Sequence, residues 1–310
     1  MEGLDTILVG LDLAPRGKGL TAGSAKSLEQ ARRVATSSGG RVRAVHSTWQ
    51  EDVVEHQGHR EIVHRDLDDE GRALLEEALA PVRAEGVEAE LTVCRERLWV
   101  GLVYEVLRGN GDLVVVGKRT QESPEDGRRL GTMAKKLLRK CPCPVWAVRP
   151  EHDLALKLVL AASDLTPVGD RAVRYAASIA SCDDCELHIV HAYQVPYTLQ
   201  SASASFTEEE YESEIEKIRA RAQESIARTL AGAGYEREPA LHIGRNVPSV
   251  AIRDAVEHLH PDLLIMGTIS RGGIPGVLVG NTAEKLLDRV DCSILGLKPD
   301  DFVCPLDLPD

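Results

Sequence analysis

The segment best equipped for chemistry runs from Met266 to Leu287, MGTISRGGIPGVLVGNTAEKLL. The apolar run DLLIMG, 262–267, ends at Met266 and Gly267; a glycine-rich loop follows, and a helix is expected to begin near Gly280, Asn281 and Thr282. Gly272, Gly273 and Gly276 permit tight turns or close approach of a ligand to the backbone. Exposed N–H groups at a helix start, with the hydroxyls of Thr268, Ser270 and Thr282 and the amide of Asn281, are donors suited to phosphate oxygens. The same residues equally describe an ordinary strand-to-helix connection whose glycines only relieve backbone strain. Asp164, just past the run KLVLAA at 157–162, could position a ribose, a water or Mg²⁺ beside such an anion. Its plainer reading is a carboxylate that caps or orients the next loop. Turnover asks for more, because phosphoryl transfer also needs a positioned nucleophile and charge stabilisation. No sequence-adjacent Ser-His-Asp or Cys-His pattern supplies covalent catalysis.

Cysteine chemistry is less favoured. Seven cysteines make an odd number, which argues against a fully paired disulfide framework. Cys182 and Cys185 form a lone C-x-x-C that supplies half a tetrahedral zinc shell, and the two aspartates between them do not favour a thiolate. Cys141 and Cys143, in CPCPVW, read as a strand entrance. His46, His191 and Cys94 could join a metal site only through tertiary proximity.

The elements that must position these residues alternate along the chain. In the first half, strands are expected at 6–11, 41–46, 87–93, 113–117 and 145–148. Helices fall near 22–38, 68–84 (with Pro81 shortening or kinking its end) and 99–108, and the charged stretch before residue 67 reads as a loop. The second half repeats the series, with strands at 157–162, 186–193, 237–243, 262–267 and 293–297 and helices near 168–180, 207–230, 248–258 and 281–289. Alternating strands and helices imply crossover connections and a mostly parallel sheet. Segments 49–67 and 194–207 are long enough for ligand lids or interaction loops, and SASAS at 201–205 reads as a flexible connection.

Residue offsets make the repeat specific. DLVVVG at 112–117 matches DLLIMG at 262–267 at an offset of 150, and Gly131/Gly280, Leu138/Leu287, Cys143/Cys292 and Pro150/Pro299 match at 149. A unit of this size is a duplicated domain and not a short solenoid repeat. The expected fold is α/β: two tandem doubly wound domains, 1–150 and 151–310, each with a mostly parallel five-stranded sheet. Two Rossmann-like domains around a cleft are the second choice, since G-x-G-x-x-G follows neither first strand; the chain has DLAPRGKG and DLTPVGD there.

Composition fits that frame. At 310 residues, 43% hydrophobic and 28% charged, the chain suits two folded domains. Phe, Tyr and Trp number 2, 6 and 3, so the core must rest on aliphatic side chains, as parallel sheets covered on both faces do. Acidic and basic residues balance at 23 each over 1–150, whereas 151–310 has 26 acidic and 14 basic and carries the whole net charge of −12. That disfavours nucleic acid and anionic membranes as partners of the second half. The basic run Lys135 to Lys140 reads first as the wet face and C-terminal end of a helix. An acidic N-terminus without an apolar run, and no stretch near the roughly 20 apolar residues of a membrane span, point to a cytoplasmic protein.

The order of Asp, paired glycines, alternating elements and a final C-P/S-x-L/V strand, found twice over nearly the whole chain, resembles the universal stress protein superfamily, in particular its tandem-domain members. The family's loop glycines and small residues correspond to Gly267, Ser270, Gly280 and Asn281, and its strand-one aspartate to Asp164. The resemblance implies binding of ATP or another adenine nucleotide, with Mg²⁺ as an accompanying ion: Asp164 near the nucleotide, Val190 near the adenine, and the loop from Met266 to Thr282 at the phosphates. Ser270 stands where the family has a glycine, and Asn281 replaces a hydroxyl, with Thr282 adjacent. In the first copy Asp12, Gly117, Gly131 and Thr132 match, and Thr120 occupies the intervening glycine position in a loop one residue longer. Lys118, Arg119, Arg128 and Arg129 are either alternative phosphate partners or solvent-facing charges. The expected function is a nucleotide-binding stress-response protein acting mainly through its second domain and not primarily an enzyme. Alternatives are a metal-, lipid- or protein-binding stress protein with degenerate loops, zinc being a weaker candidate ligand, and a slow ATPase. Family members often pair through the edge of the last strand, which would allow 145–149 and 293–297 to build an intramolecular pseudodimer, with a homodimer as a further arrangement.

Overall fold

The computed structural model describes residues 3–14, 19–49, 53–56, 59–62, 67–109, 111–118, 130–151, 153–194, 207–269 and 280–309. They form two compact units, Met1–His152 together with Phe302–Asp310, and Asp153–Asp301.

The first unit contains β1 (Thr6–Leu11), α1 (Ala22–Ser38), β2 (Arg41–Ser47), β3 (Val53–His56), β4 (His59–Ile62), α2 (Asp69–Ala84), β5 (Ala89–Cys94), α3 (Leu98–Leu107), β6 (Leu113–Gly117), α4 (Thr132–Lys140) and β7 (Val145–Val148). Its sheet runs β5-β2-β1-β6-β7 with every pairing parallel. The second unit contains β8 (Leu158–Ala162), α5 (Pro167–Cys182), β9 (Glu186–Tyr193), α6 (Glu208–Gly232), β10 (Ala240–Arg245), α7 (Pro248–Leu259), β11 (Leu263–Gly267), α8 (Asn281–Leu286) and β12 (Ser293–Leu297). Its sheet runs β10-β9-β8-β11-β12, again all parallel.

Parallel strands with helices on both faces must be apolar along their length. Every residue of β1 and β12 is buried, as are the first four of β6 and of β11. Each fully buried Leu, Ile or Val contributes roughly 1.5–3 kcal/mol of apolar transfer, which is how a core with few aromatics holds together. Helix starts are set locally. Thr21, Asp68, Thr166 and Thr207 each turn a side-chain oxygen onto a first-turn N–H, and Thr207 with Glu210 completes a capping box. Gly39 ends α1 in the left-handed region at φ 70°.

The matching aspartates of the repeat have a structural role. Asp112 Oδ2 accepts from the N–H groups of Asp5 and Thr6 at 3.0 and 2.9 Å. Asp262 Oδ2 accepts from Lys157 and Leu158 at 2.6 and 3.0 Å. Each carboxylate thus fixes the register of the unit's central strand pair, β1 with β6 and β8 with β11.

Three elements depart from expectation. The stretch read as a loop before residue 67 contains the antiparallel hairpin β3–β4, in which Val53 pairs with Ile62 and His56 with His59; the runs VVEH and HREI are too short to show a strand period. Pro81 lies inside α2, which continues to Ala84. The strand expected at 237–243 begins at Ala240. Pro239 lacks the N–H a ladder needs, and Arg237 is turned away onto Asp184 Oδ1 at 3.0 Å and the Ala180 carbonyl. Residues 201–205 lie outside the described residues. Among the described residues no helix is long and apolar enough to cross a membrane.

Candidate functional site

In each sheet the chain winds outward from the first strand in one direction and then in the other, so the reversal falls between β1 and β6 in the first unit and between β8 and β11 in the second. A crevice outside the carboxyl ends of those two strands is where open α/β sheets bind ligands. The second unit has a cavity of about 740 Å³ there, lined by the ends of β8, β9 and β11 and by the starts of α5, α7 and α8. That volume is within the range of small-molecule sites.

The floor is the β8–α5 connection. Leu165 holds a left-handed backbone at φ 60°, unusual for a branched residue, and the turn is fixed by side chains. The Ser163 hydroxyl oxygen accepts from the Leu165 N–H at 3.1 Å. Asp164 Oδ1 accepts from the N–H of Thr166 at 3.1 Å and from its hydroxyl, while Thr166 Oγ1 accepts from the N–H of Gly169 at 3.4 Å. A Cβ on Gly169 would meet Asp164 Oδ1 at 2.7 Å, so only glycine lets the helix start come this close. Asp164 is half-buried and orients this loop while facing the cavity; its two readings from sequence are compatible.

One wall comes from β9 and α7. Val190, His191 and Tyr193 line the cavity together with Pro248 and Ile252. His191 is buried, and its Nδ1–H donates to the Ser163 carbonyl at 2.9 Å. Because a carbonyl only accepts, Nδ1 carries the proton. His46 makes the equivalent bond to the Leu11 carbonyl at 2.8 Å. These histidines are therefore loop supports that occur once in each unit. The repeated Val-His in RAVHS and HIVHAY was the available signal.

The other wall is the end of β11 and the start of α8. Asp164, Val190, Met266, Gly267, Gly280 and Thr282 all line the one cavity. Asn281 opens α8. Ser270, Gly272, Gly273 and Gly276 lie outside the described residues. Thr268 plays a different part from the one its hydroxyl suggested. It is 1% exposed, its Oγ1–H donates to the Leu297 carbonyl at 3.1 Å, and its own carbonyl accepts from the N–H of Gly280 at 2.9 Å. The hydroxyl proton is committed within the protein, and Thr268 closes the base of the loop.

The first unit builds the corresponding place differently. Asp12 is exposed and its N–H donates to Ser24 Oγ at 2.8 Å. A Cβ on Gly117 would lie 2.8 Å from the Cα of Gly23, at the start of α1, whereas at Gly267 the nearest atom is a methyl of Val168 at 3.2 Å. Gly10, two residues before Asp12, is closed over by Leu98, Leu102 and Val116, which would meet an added Cβ at 3.1–3.4 Å. Gly131 caps α4 and Thr132 is exposed in its first turn. Thr120, Arg119, Arg128 and Arg129 lie outside the described residues, and Lys118 is fully buried.

The cysteines stand apart from the cavity. Cys182 ends α5 in the open, while burial pushes the Cys185 thiol up to about 11. Cys141 and Cys143 lie 3.5 Å apart, sulfur to sulfur, between α4 and β7. Among the described residues no group of three or more His, Cys, Asp or Glu side chains could hold a metal ion. The basic run lies on α4 with Lys135, Lys136, Arg139 and Lys140 all half-buried, and Lys136 and Lys140 lie over the Trp99 ring of α3 at 5.2 and 5.1 Å, so this is not simply a solvent-facing stripe.

Comparison with known proteins gives one family. The sequence model described as Universal stress protein family matches residues 3–149 and again 156–298. The chain is 30% identical over 243 residues to Universal stress protein E of Escherichia coli (strain K12), covering 73% of each. A putative universal stress protein from Pseudomonas aeruginosa UCBPP-PA14 is similar in structure, with a TM-score of 0.70, 23% identity and coverage of 96% of this chain and 95% of that one. A universal stress protein from Archaeoglobus fulgidus DSM 4304 has a TM-score of 0.63 at 19% identity, over 96% and 99% of the two chains.

Proposed function

This chain belongs to the universal stress protein family, and we propose that its second unit binds an adenine nucleotide as a stress-response protein that senses the nucleotide without turning it over. The observation that supports this reading best is convergence. Six residues chosen from sequence, separated by up to 118 positions, line a single cavity at the strand-order reversal. The apolar end, with Ala162, Val190 and Ile252, suits a purine; the polar end, with Gly267, Gly280 and Thr282, suits phosphates. In this proposal the first unit serves as the companion domain, since Gly117 packs against the Gly23 backbone and Gly10 against Leu98 and Leu102 at the corresponding strand ends.

Calorimetric titration of the full chain with ATP and ADP tests the proposal. Saturable binding near one equivalent is expected. Asp164→Ala and Gly280→Ala should weaken it at least tenfold while leaving the far-ultraviolet circular dichroism unchanged. A folded chain that binds neither nucleotide at millimolar concentration overturns it.

A further inference from the structure

Behind the polar end of the cavity lies a lysine that no loop pattern marks. Lys298, the residue after β12, is 3% exposed, and its Nζ donates to Thr268 Oγ1 at 2.5 Å. The geometry leaves Thr268 no other choice of role: its hydroxyl proton goes to Leu297, so its lone pair takes the ammonium proton. Thr268 in turn holds Gly280 through its carbonyl. One threonine therefore separates a buried cation from the residues proposed to face the phosphates. The backbone of Lys298 is also fixed, because its carbonyl accepts from Arg171 at 3.0 Å, and Arg171 pairs with the exposed Asp300.

The first unit carries a cation at the same end of its sheet. Lys118 follows Gly117 as Thr268 follows Gly267, its N–H donates to the Val148 carbonyl as that of Thr268 donates to Leu297, and it is 0% exposed. A buried ammonium is costly unless acceptors or negative charge face it, and the field of a buried charge is screened far less than that of a surface lysine.

We infer that Lys298 is a specificity-determining residue that makes the second unit's cavity select ligands by the number of phosphates they carry, acting through Thr268 and its field without touching the ligand. This rests on the nucleotide reading above and adds to it a preference in the order ATP, ADP, AMP, adenosine.

The test is titration of the full chain with those four ligands in the wild type, Lys298→Met and Lys298→Arg. Lys298→Met should weaken ATP about tenfold, the size of one poorly screened charge interaction. ADP should lose less, AMP least, and adenosine nothing. Lys298→Arg should keep the wild-type order. If Lys298→Met fails to fold by circular dichroism, Lys298→Gln gives the same ranking. Equal losses for all four ligands would reveal a support residue without charge selectivity, and unchanged ATP affinity would remove Lys298 from the site; either overturns the inference while leaving nucleotide binding intact. A wild type that binds none of the four overturns the nucleotide reading and this inference with it.

Discussion

Gly117 needs to be glycine because of Gly23, but the reverse does not hold. A Cβ on Gly117 would lie 2.8 Å from the Cα and 2.9 Å from the carbonyl carbon of Gly23, whereas a Cβ on Gly23 would lie 3.6 Å from the Cα of Gly117. The first distance is a clash with backbone that cannot rotate aside; the second is ordinary contact. Gly117→Ala should therefore destabilise the first unit by roughly 1–3 kcal/mol. Gly23→Ala should be neutral or stabilising by up to about 1 kcal/mol through helix propensity. Gly267→Ala meets the two γ-methyls of Val168 at 3.2 and 3.3 Å, side-chain atoms and not backbone, and should cost less than Gly117→Ala. Urea unfolding midpoints of the three variants check the order.

The two loop histidines separate stability from binding. Removing either imidazole leaves a buried carbonyl without its donor, a loss of about 1–3 kcal/mol, so His46→Leu and His191→Leu should lower the unfolding midpoint to a similar degree. Only His191 faces the cavity. Nucleotide affinity should fall in His191→Leu and stay at the wild-type value in His46→Leu, as measured by titration of both folded variants.

The strand-register carboxylates give a matched pair. Asp112→Ala and Asp262→Ala each strip two backbone N–H groups of their acceptor, and each should cost on the order of 2 kcal/mol. The Asn variants, which keep an acceptor oxygen, should lose less. Hydrogen exchange at Asp5 and Thr6 should rise in the first variant, and at Lys157 and Leu158 in the second.

Acid should weaken the second unit through His242. Burial, and then the nearby His188, hold its proton affinity below the ordinary histidine value; the rings stack with centroids 5.2 Å apart and approach to 3.0 Å between nitrogens. Glu186 faces His188 from the same strand at 3.3 Å. Since the folded chain binds the His242 proton less tightly than the unfolded chain, this contribution is complete above about pH 6.5, the unperturbed value, and is lost as pH falls below it. The unfolding midpoint should drop from pH 7 to pH 5, and His242→Asn should flatten that part of the profile.

Architecture was legible in the residues because two independent signals agreed. Apolar runs such as LVVVG and DLLIMG specify buried parallel strands, and their 150-residue offset specifies duplication. The polar half of the site was legible only as candidates, since Gly267, Gly280 and Asp164 acquire meaning through the crossovers that bring them together. What escaped was of two kinds. His191 faces the cavity as a buried support of the loop and Lys298 is buried outside its lining, and no local pattern distinguishes either from a surface residue. Thr268 was read as a donor because a hydroxyl beside a glycine loop looks available; the Leu297 carbonyl, 29 positions away, decides otherwise. The start of β10 was misplaced because apolar periodicity says nothing of the N–H that Pro239 lacks.

The first unit is assembled from both ends of the chain. Its sheet needs β6 to reach β1, a separation of about a hundred residues held by Asp112, and it also includes Phe302–Asp310, with the Cys304 thiol donating to the Lys140 carbonyl at 3.3 Å. During synthesis the second unit has every strand it needs by Leu297, while the first still lacks its final segment. A polypeptide released at residue 152 would carry all five strands of the first sheet but not segment 302–310, which joins that unit only after every strand of the second has been made.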